Sequence, residues 1–151
     1  MNGTYIALAV CAGAMLPLQA VVNARLARSA GGPLWAAAIS ALVVALVLAA
    51  VAGAMGREGP RLANVSTLPW WAWTGGLCGA VVLSATTAVA PQIGAASMIA
   101  LVMAGQVLAA MALDSSGWFG MSVQPLSLQR VIAATFLILG AALMSFSPDR
   151  G

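Results

Sequence analysis

The stretch LWAAAISALVVALVLAAVAGAM, Leu34 to Met55, decides the fold. It holds no charged residue, and Ser40 is its one polar side chain. As a helix rising about 1.5 Å per residue it would span about 33 Å, close to the ~30 Å hydrocarbon core of a bilayer. Working outward, a first apolar run covers Tyr5 to Ala24 and is followed by Arg25 and Arg28. Gly31, Gly32 and Pro33 then break and restart the chain, with Pro33 suited to a first helical turn. After the polar stretch Gly56 to Leu68 comes a third run, about 70–90, which opens on Trp70, Trp71 and Trp73. Pro91 and Gln92 predict a very short turn before a fourth run, Gly94 to Leu113. A loop from Asp114 to Ser127 leads to a fifth, Leu128 to Phe146.

Composition agrees with this pattern. Of 151 residues, 62% are hydrophobic and 6% charged, with no His and a mean hydropathy of +1.02. Soluble domains carry roughly 25% charge, so a soluble enzyme is excluded, and disorder needs the opposite composition. The net charge of +3, all from arginine with no Lys, is too sparse for a nucleic-acid surface. In lipid every backbone polar group must be paired internally, which leaves helices or a closed barrel. No ten-residue alternation of the kind a barrel needs is present. The expectation is one all-α integral membrane domain over 1–151 with five transmembrane helices, at about 5–24, 34–55, 70–90, 94–113 and 128–146.

Met1-Asn2-Gly3-Thr4 lacks the positive side chains of a cleaved signal peptide, and the apolar run behind it is too long for one. Cys11 and Cys78 fall inside spans, where thiols act as small apolar groups. No disulfide, metal or other cofactor is expected. Asn64-Val65-Ser66 matches a glycosylation acceptor, a weak pattern alone. A membrane-embedded enzyme is disfavoured, because without His few bases exist to activate a nucleophile or hold a metal.

Five spans put the termini on opposite faces. One face then receives Arg57, Arg61 and Arg130, the other Arg25, Arg28 and Arg150. Orientation normally follows the excess of Lys and Arg on cytoplasmic loops, and here none exists. Two readings stand: insertion in both orientations with antiparallel pairing, or one orientation favoured by a small margin. Pairing would supply the two inverted halves between which transporters place their substrate. Gly75 and Gly79 form a G-x-x-x-G, with Gly76 and Ala80 one step along, and Ala100, Ala104, Gly105 and Ala109 give the fourth span a small-residue seam. Such seams let helices approach closely, within one chain or between two.

Polar atoms inside the spans mark candidate binding residues. Gln19 and Asn23 lie four apart on one helical face, next to Pro17. Ser84 and Thr87, with Thr86 beside them, sit in the third span; Ser97 and Gln106 sit in the fourth. The six residues Gln19, Asn23, Ser84, Thr87, Ser97 and Gln106 either line a substrate cavity or serve as interhelical glue, at about 1 kcal/mol per bond. Spans 1 to 3 contain no carboxylate, so a neutral or anionic substrate is favoured over a strongly cationic one. Asp114 is expected to pair with an arginine; in an antiparallel dimer Arg25 of the second copy would make a gate or intersubunit contact, and a solvated helix-end charge is the alternative. Trp35 on one face, and Trp70, Trp71, Trp73 and Trp118 on the other, read as aromatic belts; Trp118 and Phe119 also suit a short interfacial segment.

Taken in order, LPLQAVVNARLAR (Leu16 to Arg28), Gly31-Gly32-Pro33, Gly75-Gly76, Pro91-Gln92-Ile93-Gly94, Gly105-Gln106, the Asp114 to Gly117 stretch and Pro125-Leu126 leading to Arg130 resemble the YdcZ-type family of small bacterial inner-membrane proteins, in the drug/metabolite transporter superfamily. The resemblance implies a five-helix unit equal to half of a ten-helix inverted-repeat transporter. It also separates the chain from the four-span multidrug exporters, which use a glutamate in span 1. The resulting expectation is a small-molecule transporter working as an antiparallel homodimer by alternating access. The alternative is a non-transporting membrane scaffold, or one subunit of a heteromeric transporter.

Overall fold

The computed structural model describes residues 3–59, 68–118 and 122–146. Its elements are α1 (Gly3–Ala30), α2 (Pro33–Ala54), a 3-10 turn (Trp70–Trp73), α3 (Thr74–Ile93), α4 (Ala95–Ser116) and α5 (Leu128–Ser145). Among the described residues five helical segments are long and apolar enough to cross a membrane, the third being the 3-10 turn with α3. Among the described residues there is no strand. Arg61, Arg150, Phe119 and the Asn64-Val65-Ser66 acceptor lie outside the described residues.

Two helix ends differ from the sequence expectation, each for a local reason. α1 continues past Arg25 and Arg28 to Ala30, because arginine is a good helix former and its stem can lift the charge into the interface. α3 continues through Pro91 and Gln92 to Ile93. A proline in a last turn forfeits one bond, here the donor to the Thr87 carbonyl, and the helix closes regardless. α1 likewise runs through Pro17, which leaves the Gly13 carbonyl without its helical donor.

The connections are short where glycine permits it. Gly31 (φ 87°) and Gly32 (φ 126°) join α1 to α2, and Gly94 (φ 82°) alone separates α3 from α4. Side chains with a Cβ seldom adopt these angles. α5 starts at Ser127, whose Oγ accepts from the Arg130 N–H at 3.3 Å.

The chain divides into two compact units, Leu18–Pro91 and Met1–Pro17 with Gln92–Gly151. In the second, α4 and α5 pack along each other, and the Ser97 hydroxyl donates to the Met144 carbonyl at 3.1 Å. Buried apolar residues are nearly all small: Ala20, Ala36, Ala37, Ala90, Ala104, Ala134 and Ala141, with Met98 the one large member. The large side chains, such as Leu46, Phe136 and Leu143, point outward, as expected where lipid is the solvent and backbone proximity is the gain.

Candidate functional site

The six candidate polar residues take three kinds of position. Asn23 and Thr87, in the Leu18–Pro91 unit, are the two buried polar residues among those described, 5% and 1% exposed. The Thr87 hydroxyl donates to the Leu83 carbonyl at 2.7 Å, a bond inside its own helix. Asn23 has no hydrogen bond to any described residue, yet neither polar atom of its amide is sealed away. Both polar atoms therefore keep some exposure, and a group from outside can bond there. Gln19, one turn earlier, is half-buried and likewise has no hydrogen bond to a described residue.

Ser84 and Ser97 are committed to backbone. Ser84 Oγ donates to Ala80 O at 2.7 Å, and Thr86 behaves the same way towards Val82 O. Ser97 bonds across to α5, so its hydroxyl proton serves helix packing. Gln106 is exposed on the single chain. No hydrogen bond joins any two of the six among the described residues.

Two cavities flank the Leu18–Pro91 candidates. One, of about 310 Å³, is a groove between α2 and α3 floored by small residues, Ala37, Ala38, Ala41, Gly76, Gly79 and Ala80, with Ser84 at its edge. The small row on α3 was legible as G-x-x-x-G; its complement on α2, Ala37 and Ala41 at a four-residue spacing, carried the same signal but lay inside a run read only as apolar. The other, of about 340 Å³, is walled by Val21, Ala24, Ala90 and Pro91 and carries Arg25 and Arg28. The sequence marks both arginines as topology determinants and Arg25 as a gate or intersubunit contact, but carries no signal for the cavity between them and the end of α3.

In the other unit, Asp114 at the end of α4 meets Arg130 in the first turn of α5, with Nη1 3.3 Å from Oδ2. The pair borders a third cavity, of about 460 Å³, between α4 and α5. Arg25 has no hydrogen bond or ion pair to a described residue. Gly105 and Gly79 leave open space where a Cβ would stand, so neither is pressed against a helix within the chain. Among the described residues no group of His, Cys, Asp or Glu is arranged to hold a metal, and Cys11 and Cys78 are free.

No curated protein and no solved structure matches the chain. A family model does, over residues 4–143, and its description reads "Putative inner membrane exporter, YdcZ". That match runs from the second residue of α1 to the last turns of α5, and takes in every helix that carries a candidate residue. With five helices suited to crossing a bilayer, the chain belongs to the YdcZ family of inner-membrane exporters and is a multi-pass protein of the bacterial inner membrane.

Proposed function

We propose that the protein exports a small neutral or anionic molecule as an antiparallel homodimer, with a central cavity that opens alternately to either side. The observation that carries this reading is Asn23, buried at 5% exposure with an amide that no described residue satisfies. Together with Gln19 and the Gly13 carbonyl freed by Pro17, it offers donors and acceptors along one transmembrane helix. Gln19 and Asn23 would bind the substrate directly. Ser84, Thr87 and Ser97 spend their protons on backbone and would line the cavity without donating to the substrate. Gln106, exposed on one chain, would join the lining when a second copy covers it.

Pairing is supported by the small-residue groove between α2 and α3, which suits close approach of another helix, and by the even division of arginines across the membrane. Asp114 meets Arg130 within the chain, and Arg25 of the second copy would join that pair as a gate or intersubunit contact.

The test combines topology and transport. Compartment-specific reporters fused to either end should each give signal on both sides of the membrane. Asn23→Leu and Gln19→Leu should each lower efflux about tenfold, the worth of one hydrogen bond lost to a buried ligand, with insertion unchanged and thermal stability no lower than that of the wild type. One fixed orientation would remove the homodimer, and unaltered efflux in both variants would remove the site.

A further inference from the structure

The cavity that carries Arg25 and Arg28 includes none of the residues proposed to bind the exported molecule, and its chemistry is specific. α1 is 28 residues long, about 42 Å at 1.5 Å per residue, against ~30 Å of hydrocarbon. Arg25 stands 22 residues beyond Gly3, so the pair emerges at about the level of the headgroups. Trp35 is exposed in the first turn of α2, just beyond the Gly31–Gly32 connection, where tryptophan marks the interface. The two arginines are three apart and therefore neighbours on one helix face. Neither is paired with a described residue, and the acid at the end of α4 is already taken by Arg130. Below them the walls are purely apolar: Val21, Ala24, Ala90 and Pro91.

We propose that this cavity is a binding site for an anionic phospholipid. Arg25 and Arg28 would hold the phosphodiester in their forked N–H groups, and the upper part of an acyl chain would lie along Val21, Ala24, Ala90 and Pro91. Two fixed positive charges without an acid favour a headgroup with net negative charge over a zwitterionic one. Planar guanidinium donors match phosphate oxygens two at a time, and basic pockets between transmembrane helices hold anionic headgroups in this way.

The experiment uses the full chain purified in a neutral detergent. Phosphatidylglycerol or phosphatidylcholine is titrated in, and retained lipid is counted by native mass spectrometry alongside the rise in thermal unfolding midpoint. The wild type should retain phosphatidylglycerol in preference to phosphatidylcholine. Arg25→Gln/Arg28→Gln should bind it about thirtyfold more weakly, from the loss of two interfacial charges. Arg28→Gln alone should lose about fivefold, which keeps the test available if the double variant fails to fold. Arg57→Gln, outside the cavity, should bind as the wild type does. Equal retention of the two lipids, unchanged affinity in the arginine variants, or an equal loss in Arg57→Gln would overturn the proposal. So would displacement of the lipid by glycerol 3-phosphate at matching concentration, which would assign the site to a soluble anion. None of these readouts involves efflux, so the lipid site and the export reading fail separately.

Discussion

Arg130 Nη1 donates to Asp114 Oδ2 at 3.3 Å, tying the first turn of α5 to the last turn of α4. The Gln124 N–H also donates to the Asp114 carbonyl, at 2.8 Å, so one residue anchors the loop between the two helices by side chain and backbone. The side chains of the pair are 44% and 31% exposed, arginine first. Exposed pairs are worth little, typically below about 1 kcal/mol. A double-mutant cycle with Asp114→Asn and Arg130→Gln, read by unfolding in mixed micelles, should give a coupling in that range. A coupling near 3 kcal/mol would instead describe a fully desolvated pair.

Ser97 makes a second side-chain hydrogen bond between α4 and α5, donating to Met144 O. Such bonds average about 0.6 kcal/mol in membrane proteins. Ser97→Ala should therefore lower stability by about that amount and leave insertion unaffected. A loss beyond about 2 kcal/mol would mean that the seam depends on this bond far more than its geometry implies.

Gly94 holds φ at 82° between two helices, and a Cβ there would meet nothing within 4 Å. The cost of Gly94→Ala is therefore conformational, about 1–3 kcal/mol for an L-residue forced to φ 82° and ψ 151°, a region essentially reserved for glycine. Gly94→Asn should cost about as much, since asparagine tolerates left-handed helical angles and not the extended ψ of 151° found here. Equal and negligible losses in both variants, measured by denaturant titration, would show that the turn can reshape itself.

Thr87 and Asn23 are both buried, yet they should respond in opposite ways. Thr87→Val removes a hydroxyl whose proton goes to Leu83 O, so efflux should stay close to the wild type and stability should move by about 1 kcal/mol or less. Asn23→Leu removes an amide that has no described partner, and efflux should fall while stability holds or rises. Thr87→Leu, which adds volume at 1% exposure, should destabilise by about 1–3 kcal/mol through overpacking.

The spans were legible because lipid imposes length and apolarity on any helix that crosses it, and the glycine breaks at Gly31–Gly32 and Gly94 were legible from residue type alone. The helix ends were not. Arg25 and Arg28 read as stops because they are charged, but α1 passes both, since a long side chain can carry its charge away from the axis. Pro91 read as a turn, although a missing donor in a final turn does not stop a helix. Of the candidate site, Asn23 stood out by its amide chemistry and its spacing from Gln19. The serine and threonine hydroxyls could not be assigned from sequence, because bonding back to their own helix leaves no mark in the residue pattern. Pairing of Arg130 with Asp114 depends on a fold-back of sixteen residues, beyond the reach of any local spacing rule.

The alanine-lined interior has an evolutionary consequence. Where α4 and α5 pack with buried methyl groups such as Ala104 and Ala141, each added carbon acts as a wedge between backbones. On the outer faces, exchange among leucine, valine and phenylalanine changes only which acyl chains are brushed. A saturation library of this chain should thus show the reverse of a water-soluble protein's profile: bulk prohibited at the centre, and greasy residues freely interchangeable on the periphery.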